Sequence, residues 1–263
     1  MVIRCGILNE GSKEYGKSMV KTLVSDGAVV AVVGYNLSPK VAIPQIVDEV
    51  AEQLKFIIEW SRMRLASQKS PIHLMGHSAG AQLIFQALLK LPKAIGESVL
   101  SLILISGVYD LEPLIGTEMN KSLKLDRALA YSLSPINNVR EIHIMYGAHL
   151  KLSVVVGEDD TPTFVAQSRE FFKTLEQYFT SSESISLHIL PHYHHFNIIV
   201  GLGCKEESVY ELIDAIAPAR IIDAAVGVST NAALLEIKKS MSTMFKWLKR
   251  VSGDYHHRIL LSY

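Results

Sequence analysis

The sequence predicts an α/β fold, a mostly parallel sheet with helices on both faces. Three observations predict it. Short apolar or β-branched runs alternate with longer segments of helical period, and strands separated by helices build parallel sheets with right-handed crossovers. One such run breaks into a helix at Gly76-His-Ser-Ala-Gly80, with glycines where the turn forces backbone against helix and a Cβ would obstruct. Acids and then histidines follow the ends of later strands, which is where ligands bind in such sheets.

The elements follow in order. Ala28 to Gly34, bounded by Gly27 and the Asn36-to-Pro39 turn, reads as a strand buried on both faces. From Val41 to about Leu65, the residues Ile46, Val50, Leu54, Ile57 and Ile58 recur at helical spacing with Asp48, Glu49, Glu52 and Gln53 between them, giving an amphipathic helix. Ile72 to Met75 is the strand entering the bend, Ser78 stands at the bend, and an apolar-periodic helix follows Gly80. Ser98 to Ile105, Leu152 to Val156 and Ile185 to Leu190 read as three further strands, and Phe164 to Phe179 as the clearest helix between them.

Asp110 to Ala148 differs, because Pro113, Gly116, Ser134-Pro135, Asn137 and Asn138 interrupt any long period. It reads as an excursion over the strand ends, a cap or pocket wall. Glu206 to Ile216 reads as the last helix of the domain, ended by Pro218. Leu234 to Val251 reads as a docked amphipathic helix with a solvated lysine face. The expected organisation is one α/β domain over residues 1–217, with 109–150 as its cap-like excursion, and a C-terminal helical extension over 218–263.

At 263 residues the chain suits one principal α/β domain. Lys+Arg 26 balances Asp+Glu 26, so no electrostatic footprint for nucleic acid or an anionic membrane is visible. Cys5 and Cys204 are too few for a disulfide framework and lack metal-site spacing, and they read as reduced thiols. No apolar run reaches the length of a membrane span, and the start of the chain has no signal-peptide pattern. The expectation is a soluble protein of the cytoplasm, with the nucleus also open.

A serine hydroxyl is a poor nucleophile until a base takes its proton. Histidine suits that role, and an acid behind it fixes tautomer and orientation. At an elbow of this kind the chain order is serine, acid, histidine. The strand at 152–156 runs into Gly157-Glu-Asp-Asp160. Asp160 is the candidate acid, a turn's length beyond the glycine, with Asp159 the alternative and Glu158 a loop carboxylate. Asp110 also follows a strand, and reads as a turn-capping carboxylate beside Glu112-Pro113.

The strand at 185–190 is followed by Pro191-His-Tyr-His-His-Phe196. His195 is the candidate base, while His192 and His194 read as pocket-edge or solvent histidines. His77 reads as packing locally inside the elbow. No second cluster of ligand spacing accompanies the histidines, so no metal is expected. The N–H of Ala79, at the N-terminus of the elbow helix, is the first expected oxyanion donor.

Several separated stretches together carry a resemblance. They are Gly34-Tyr-Asn-Leu-Ser-Pro-Lys40, the elbow Gly76–Gly80, Ser106-Gly-Val-Tyr-Asp-Leu-Glu-Pro113, the loop Val156-Gly-Glu-Asp-Asp160 with Gln167-Ser-Arg-Glu-Phe171, and His195-Phe196. In that order, from about Gly11 to about Ile216, the chain resembles kynurenine formamidase (arylformamidase), a family with the α/β-hydrolase fold. The resemblance implies hydrolysis of N-formyl-L-kynurenine to kynurenine and formate, in tryptophan breakdown, by a cofactor-free serine mechanism. Residue by residue, Ser78 matches the nucleophile, Asp160 the acid and His195 the base.

Two departures accompany it. The family carries a His-Gly-Gly loop whose N–H groups complete the oxyanion hole, and here the corresponding stretch is Arg4-Cys-Gly-Ile7. Only Gly6 matches, so the second oxyanion donor is expected from a backbone N–H near Gly6. The N-terminal strands expected before it are missing because the chain begins at Met1, which would expose one sheet edge. The other departure is the extension beyond about Ala217, for which the family suggests no role.

The expected partner is a small molecule, N-formylkynurenine or an aryl formamide or ester, with neither nucleic acid nor membrane, and a homodimer is left open. Two rival expectations stand beside this one. One is a catalytically weak or inactive member of the fold acting as a binding or interaction module; the other is a general carboxylesterase.

Overall fold

The computed structural model describes residues 2–5, 17–64, 71–147, 149–181, 183–217 and 259–262. The expected helix at 234–251 and the expected donor at Gly6 lie outside the described residues.

Strand β2 (Val30–Val33) is a β-branched run with all four residues buried, as a strand covered on both faces requires. Helix α2 (Ile43–Arg64) turns Ile43, Ile46, Val50, Leu54, Ile57 and Ile58 into the core, the face marked out by their spacing. Strand β3 (Ile72–His77) is buried throughout and reaches two residues past Met75, the end read from the sequence. It leads through Ser78 into helix α3 (Ala79–Lys90), and helix α4 (Lys93–Gly96) and strand β4 (Val99–Ile105) follow.

The excursion after β4 is a chain of short helical turns. A 3₁₀ turn over Glu112–Gly116, α5 (Asn120–Leu123), α6 (Arg127–Leu133), a second 3₁₀ turn over Pro135–Asn138 and α7 (Val139–Tyr146) pass across the sheet. The chain then re-enters the sheet as β5 (Lys151–Gly157). Helix α8 (Pro162–Glu176) and strand β6 (Ile185–Leu190) come next.

Among the described residues the sheet has seven strands, and two of them were not read from the sequence. Val2–Cys5 forms β1, parallel to both β2 and β3, so one strand does precede Gly6. Ile259–Ser262 forms β7, antiparallel to β2. The spatial order is β6-β5-β4-β3-β1-β2-β7. Strand β7 thus pairs with the side of β2 expected to be open, and the described part of the 218–263 extension, residues 259–262, is a strand.

Two apolar cores sandwich the sheet. On one face Leu74, Leu102, Leu104, Leu152 and Val154 pack with α2, α3 and, through Phe171 and Leu175, α8. On the other, Val30, Val32, Met75, Ile103, Ile105 and Val155 meet helix α1 (Lys17–Ser25) through Met19 and Leu23. Helices α9 (Asn197–Gly201) and α10 (Ser208–Ile216) complete that side through Ile198, Ile199, Val209 and Ile213. Parallel strands β1, β3, β4, β5 and β6 therefore end on one rim, where the loops that carry the candidate residues gather.

Candidate active site

The elbow is tight in the way its glycines demand. A Cβ on Gly76 would lie 2.5 Å from the Gly80 carbonyl oxygen and 2.7 Å from the Ala81 nitrogen, both backbone atoms that cannot rotate away. Ser78 takes φ 56° and ψ −127°, a region that a residue with a side chain occupies at a cost of about 1–3 kcal/mol. Backbone bonds hold it there: its N–H donates to Ile105 O at 2.9 Å, and its carbonyl accepts from Ala81 at 3.0 Å and Val108 at 3.3 Å. As the first residue of α3, Ala79 has an N–H with no intrahelical acceptor, at the positive end of the helix dipole.

Of the three acids after β5, only Asp160 turns inward. Glu158 and Asp159 are exposed, while Asp160 is buried. Backbone bonds zip its loop to the histidine loop: Glu158 N–H reaches Leu190 O at 2.8 Å and Asp159 N–H reaches Tyr193 O at 2.9 Å. The close approach requires glycine at 157, since a Cβ there would sit 2.0 Å from the Tyr193 carbonyl oxygen. Asp110 stays apart, its Oδ1 accepting from the Glu112 N–H at 2.9 Å as a turn cap.

Of the histidines, His195 is the one brought to the acid. Its Nδ1–H donates to Asp160 Oδ2 at 3.0 Å, with the aspartate side chain fully buried and the histidine side chain 13% exposed. His192 and His194 are exposed, and His194 Nδ1 accepts the Phe196 N–H at 3.2 Å within its own turn. Burial pushes the Asp160 carboxyl up, but the bond from His195, the neighbouring Ser106, the charge of His195 and the Thr161 N–H outweigh it and hold the pKa below the ordinary carboxylate value. The buried Ser106 hydroxyl lies beside the carboxylate but makes no hydrogen bond of ordinary geometry.

Sequence reasoning missed three neighbours of this pair. His77 donates from Nε2 to the carbonyl oxygen of His195 at 2.8 Å, and the two rings stand 4.6 Å apart. Phe164 lies 4.3 Å from the His195 ring, centroid to centroid. Ser106, fully buried at the end of β4 with φ 43°, is the third. Adjacency to the nucleophile was the one signal available for His77. Phe164 and Ser106 gave none, since their partners are distant in sequence.

Among the described residues no group of three or more His, Cys, Asp or Glu side chains could hold a metal. No helix there is long and apolar enough to cross a membrane.

Residues 7–188 match the family described as alpha/beta hydrolase fold. The chain belongs to that family. This α/β hydrolase is also similar to curated kynurenine formamidases, at 32% identity over 190 residues for the protein of Salmo salar and 30% over 190 residues for that of Danio rerio. Each match covers 72% of this chain and 62% of the relative, so the chain spans less than two thirds of the length of the relatives it matches. A solved structure from Silicibacter sp. TM1040 superposes on the hydrolase with TM-score 0.64 and 27% identity, over 81% of this chain and 74% of that one. The thermophilic carboxylesterase EstE1, cloned from a metagenomic library, shares the fold at TM-score 0.62 and 17% identity, over 84% of this chain and 79% of its own.

Proposed function

We propose that this α/β hydrolase is a serine hydrolase of the kynurenine formamidase type, cleaving N-formyl-L-kynurenine to L-kynurenine and formate in tryptophan breakdown. Ser78 Oγ attacks the formyl carbonyl while His195 Nε2 takes the hydroxyl proton. The carbonyl becomes a tetrahedral oxyanion facing the Ala79 N–H, with a second donor from the backbone near Gly6. Each such donor is worth roughly 100- to 1,000-fold in turnover. Collapse breaks the C–N bond, and His195 returns the proton to the departing arylamine. Water, deprotonated in turn by His195, then attacks the formyl ester, releasing formate and restoring Ser78. Asp160 holds His195 with Nδ1 protonated, so that Nε2 is left as the base.

The observation that carries this reading is the 3.0 Å bond between His195 and a fully buried Asp160, with the histidine ring packed against the residue next to Ser78. Ser78 Oγ makes no hydrogen bond to His195 Nε2 in the structure, and nucleophile–base bonds that are long in a free enzyme tighten when substrate binds. Two measurements on the protein test the reading: covalent labelling of Ser78 by a fluorophosphonate, and formate release from N-formylkynurenine. Both are expected in the wild type, and both are expected to fall at least about 1,000-fold in Ser78→Ala and His195→Ala. Release of formate by Ser78→Ala at the wild-type rate would sink it.

A further inference from the structure

The bonds that hold the histidine loop come from two directions. From one side, the acid loop binds the backbone at Leu190 and Tyr193 and the imidazole of His195 through Asp160. From the other side comes His77, whose Nε2–H reaches the His195 carbonyl at 2.8 Å. His77 is the last residue of β3 and is 4% exposed. One peptide bond separates it from Ser78, which is itself fixed by backbone bonds to β4 and to the turn after it.

We propose that His77 is a positioning residue that sets the distance between the nucleophile and the base. The inference rests on the serine-hydrolase reading. A loop anchored only to the acid would hold His195 in line with Asp160 while leaving the pair free to slide relative to the elbow. The bond from His77 ties the His195 backbone to the residue before Ser78, so nucleophile and base share one rigid reference. The His77 ring also stands 4.6 Å from the His195 ring and the Phe164 ring 4.3 Å from it, so two neighbouring rings restrict the base. A displacement of about 1 Å between reacting groups costs on the order of 100-fold in rate, so a single backbone anchor at this point has large leverage.

The test compares the wild type with His77→Phe, which keeps a ring but loses the donor, and His77→Gln, which restores an N–H at similar reach. Three readings are taken: kcat and KM for N-formylkynurenine, the rate of fluorophosphonate labelling of Ser78, and amide hydrogen exchange over residues 191–201. In His77→Phe, kcat and labelling are expected to fall about 10- to 100-fold with KM changed less than about twofold, and exchange in 191–201 to rise. His77→Gln is expected to recover most of each.

If His77→Phe labels at the wild-type rate, or if His77→Gln is as slow as His77→Phe while both lose the same thermal stability, His77 is packing only and the proposal is overturned. Absence of labelling in the wild type would instead sink the serine-hydrolase reading. In that event the exchange comparison still decides whether His77 anchors the loop.

Discussion

Gly157 and Tyr193 meet backbone to backbone. A Cβ on the glycine would lie 2.0 Å from the tyrosine carbonyl oxygen and 2.5 Å from its carbonyl carbon, and this contact joins the loop of Asp160 to the loop of His195. Gly157→Ala must push the two loops apart. Overpacking of this sort costs about 1–3 kcal/mol, so the urea midpoint is expected to fall accordingly and Ser78 labelling to slow with it. A midpoint and labelling rate equal to the wild type would show that the junction gives more easily than its geometry indicates.

Asp160 has a depressed pKa in the fold, held down against its own burial by His195, Ser106 and the Thr161 N–H. A carboxyl of this kind contributes stability that is full above its unfolded value, about 3.9, and is lost as pH falls through the lower folded value. Denaturant midpoints measured below about pH 4 are therefore expected to drop less steeply in Asp160→Asn than in the wild type. At neutral pH the same variant loses the acceptor that fixes the His195 tautomer, and kcat is expected to fall by about 10⁴. Parallel acid limbs in the two proteins would contradict the first expectation.

His73 titrates in a different window. It is 3% exposed on β3, its Nδ1 is 2.7 Å from Ser101 Oγ, and its Nε2 has no hydrogen-bond partner. Burial lowers its pKa from 6.5 to about 4. The unfolded chain then binds the proton first, so stability is lost as pH falls from about 6.5 to about 4 and no further below that. The shift is on the order of 3 kcal/mol over the window. His73→Phe is expected to show a stability slope shallower by about one proton between those pH values, measured by urea titration. An unchanged slope would assign the proton elsewhere.

In the proposed mechanism a leaving group that takes its proton from His195 would pass beside the rings near it. Phe164 is 4.3 Å from the His195 ring and Phe196 is 5.3 Å from it, edge-on; Phe196 is 64% exposed. Stacking on such a ring is worth about 0.5–1.5 kcal/mol. Phe196→Ala and Phe164→Ala are each expected to lower kcat/KM for an aryl formate ester about two- to tenfold relative to an alkyl formate ester. Equal losses on both esters would place the aromatic part of the substrate elsewhere.

The elbow was legible in the sequence because several constraints coincide there: an apolar run, a glycine that a Cβ could not replace at 76, a serine, and a helix whose interior is apolar. The larger strands were legible for a related reason, their β-branched runs being bounded by turn residues. Strand β1 was not, since Val2–Cys5 is four residues long and contains Arg4. Strand β7 pairs antiparallel with a segment far away in the chain, and no local pattern announces such a partner. The same limit applied at the site. His77 and His195 are 118 residues apart, and the bond between them is a property of the folded rim. The inward turn of Asp160 beside two outward acids was likewise decided by loop backbone bonds rather than by residue type.

Helix α3 has every residue from Ala79 to Leu88 buried, including Gln82, whose side-chain amide donates to Leu133 O at 3.0 Å beneath the cap. Over that stretch the helix has no solvent-facing position at which substitutions are cheap; the first exposed residue is Lys90, at its end. Room for change that leaves the elbow untouched lies instead at outward positions of the excursion, such as Glu112, Glu118 and Tyr131, which are exposed.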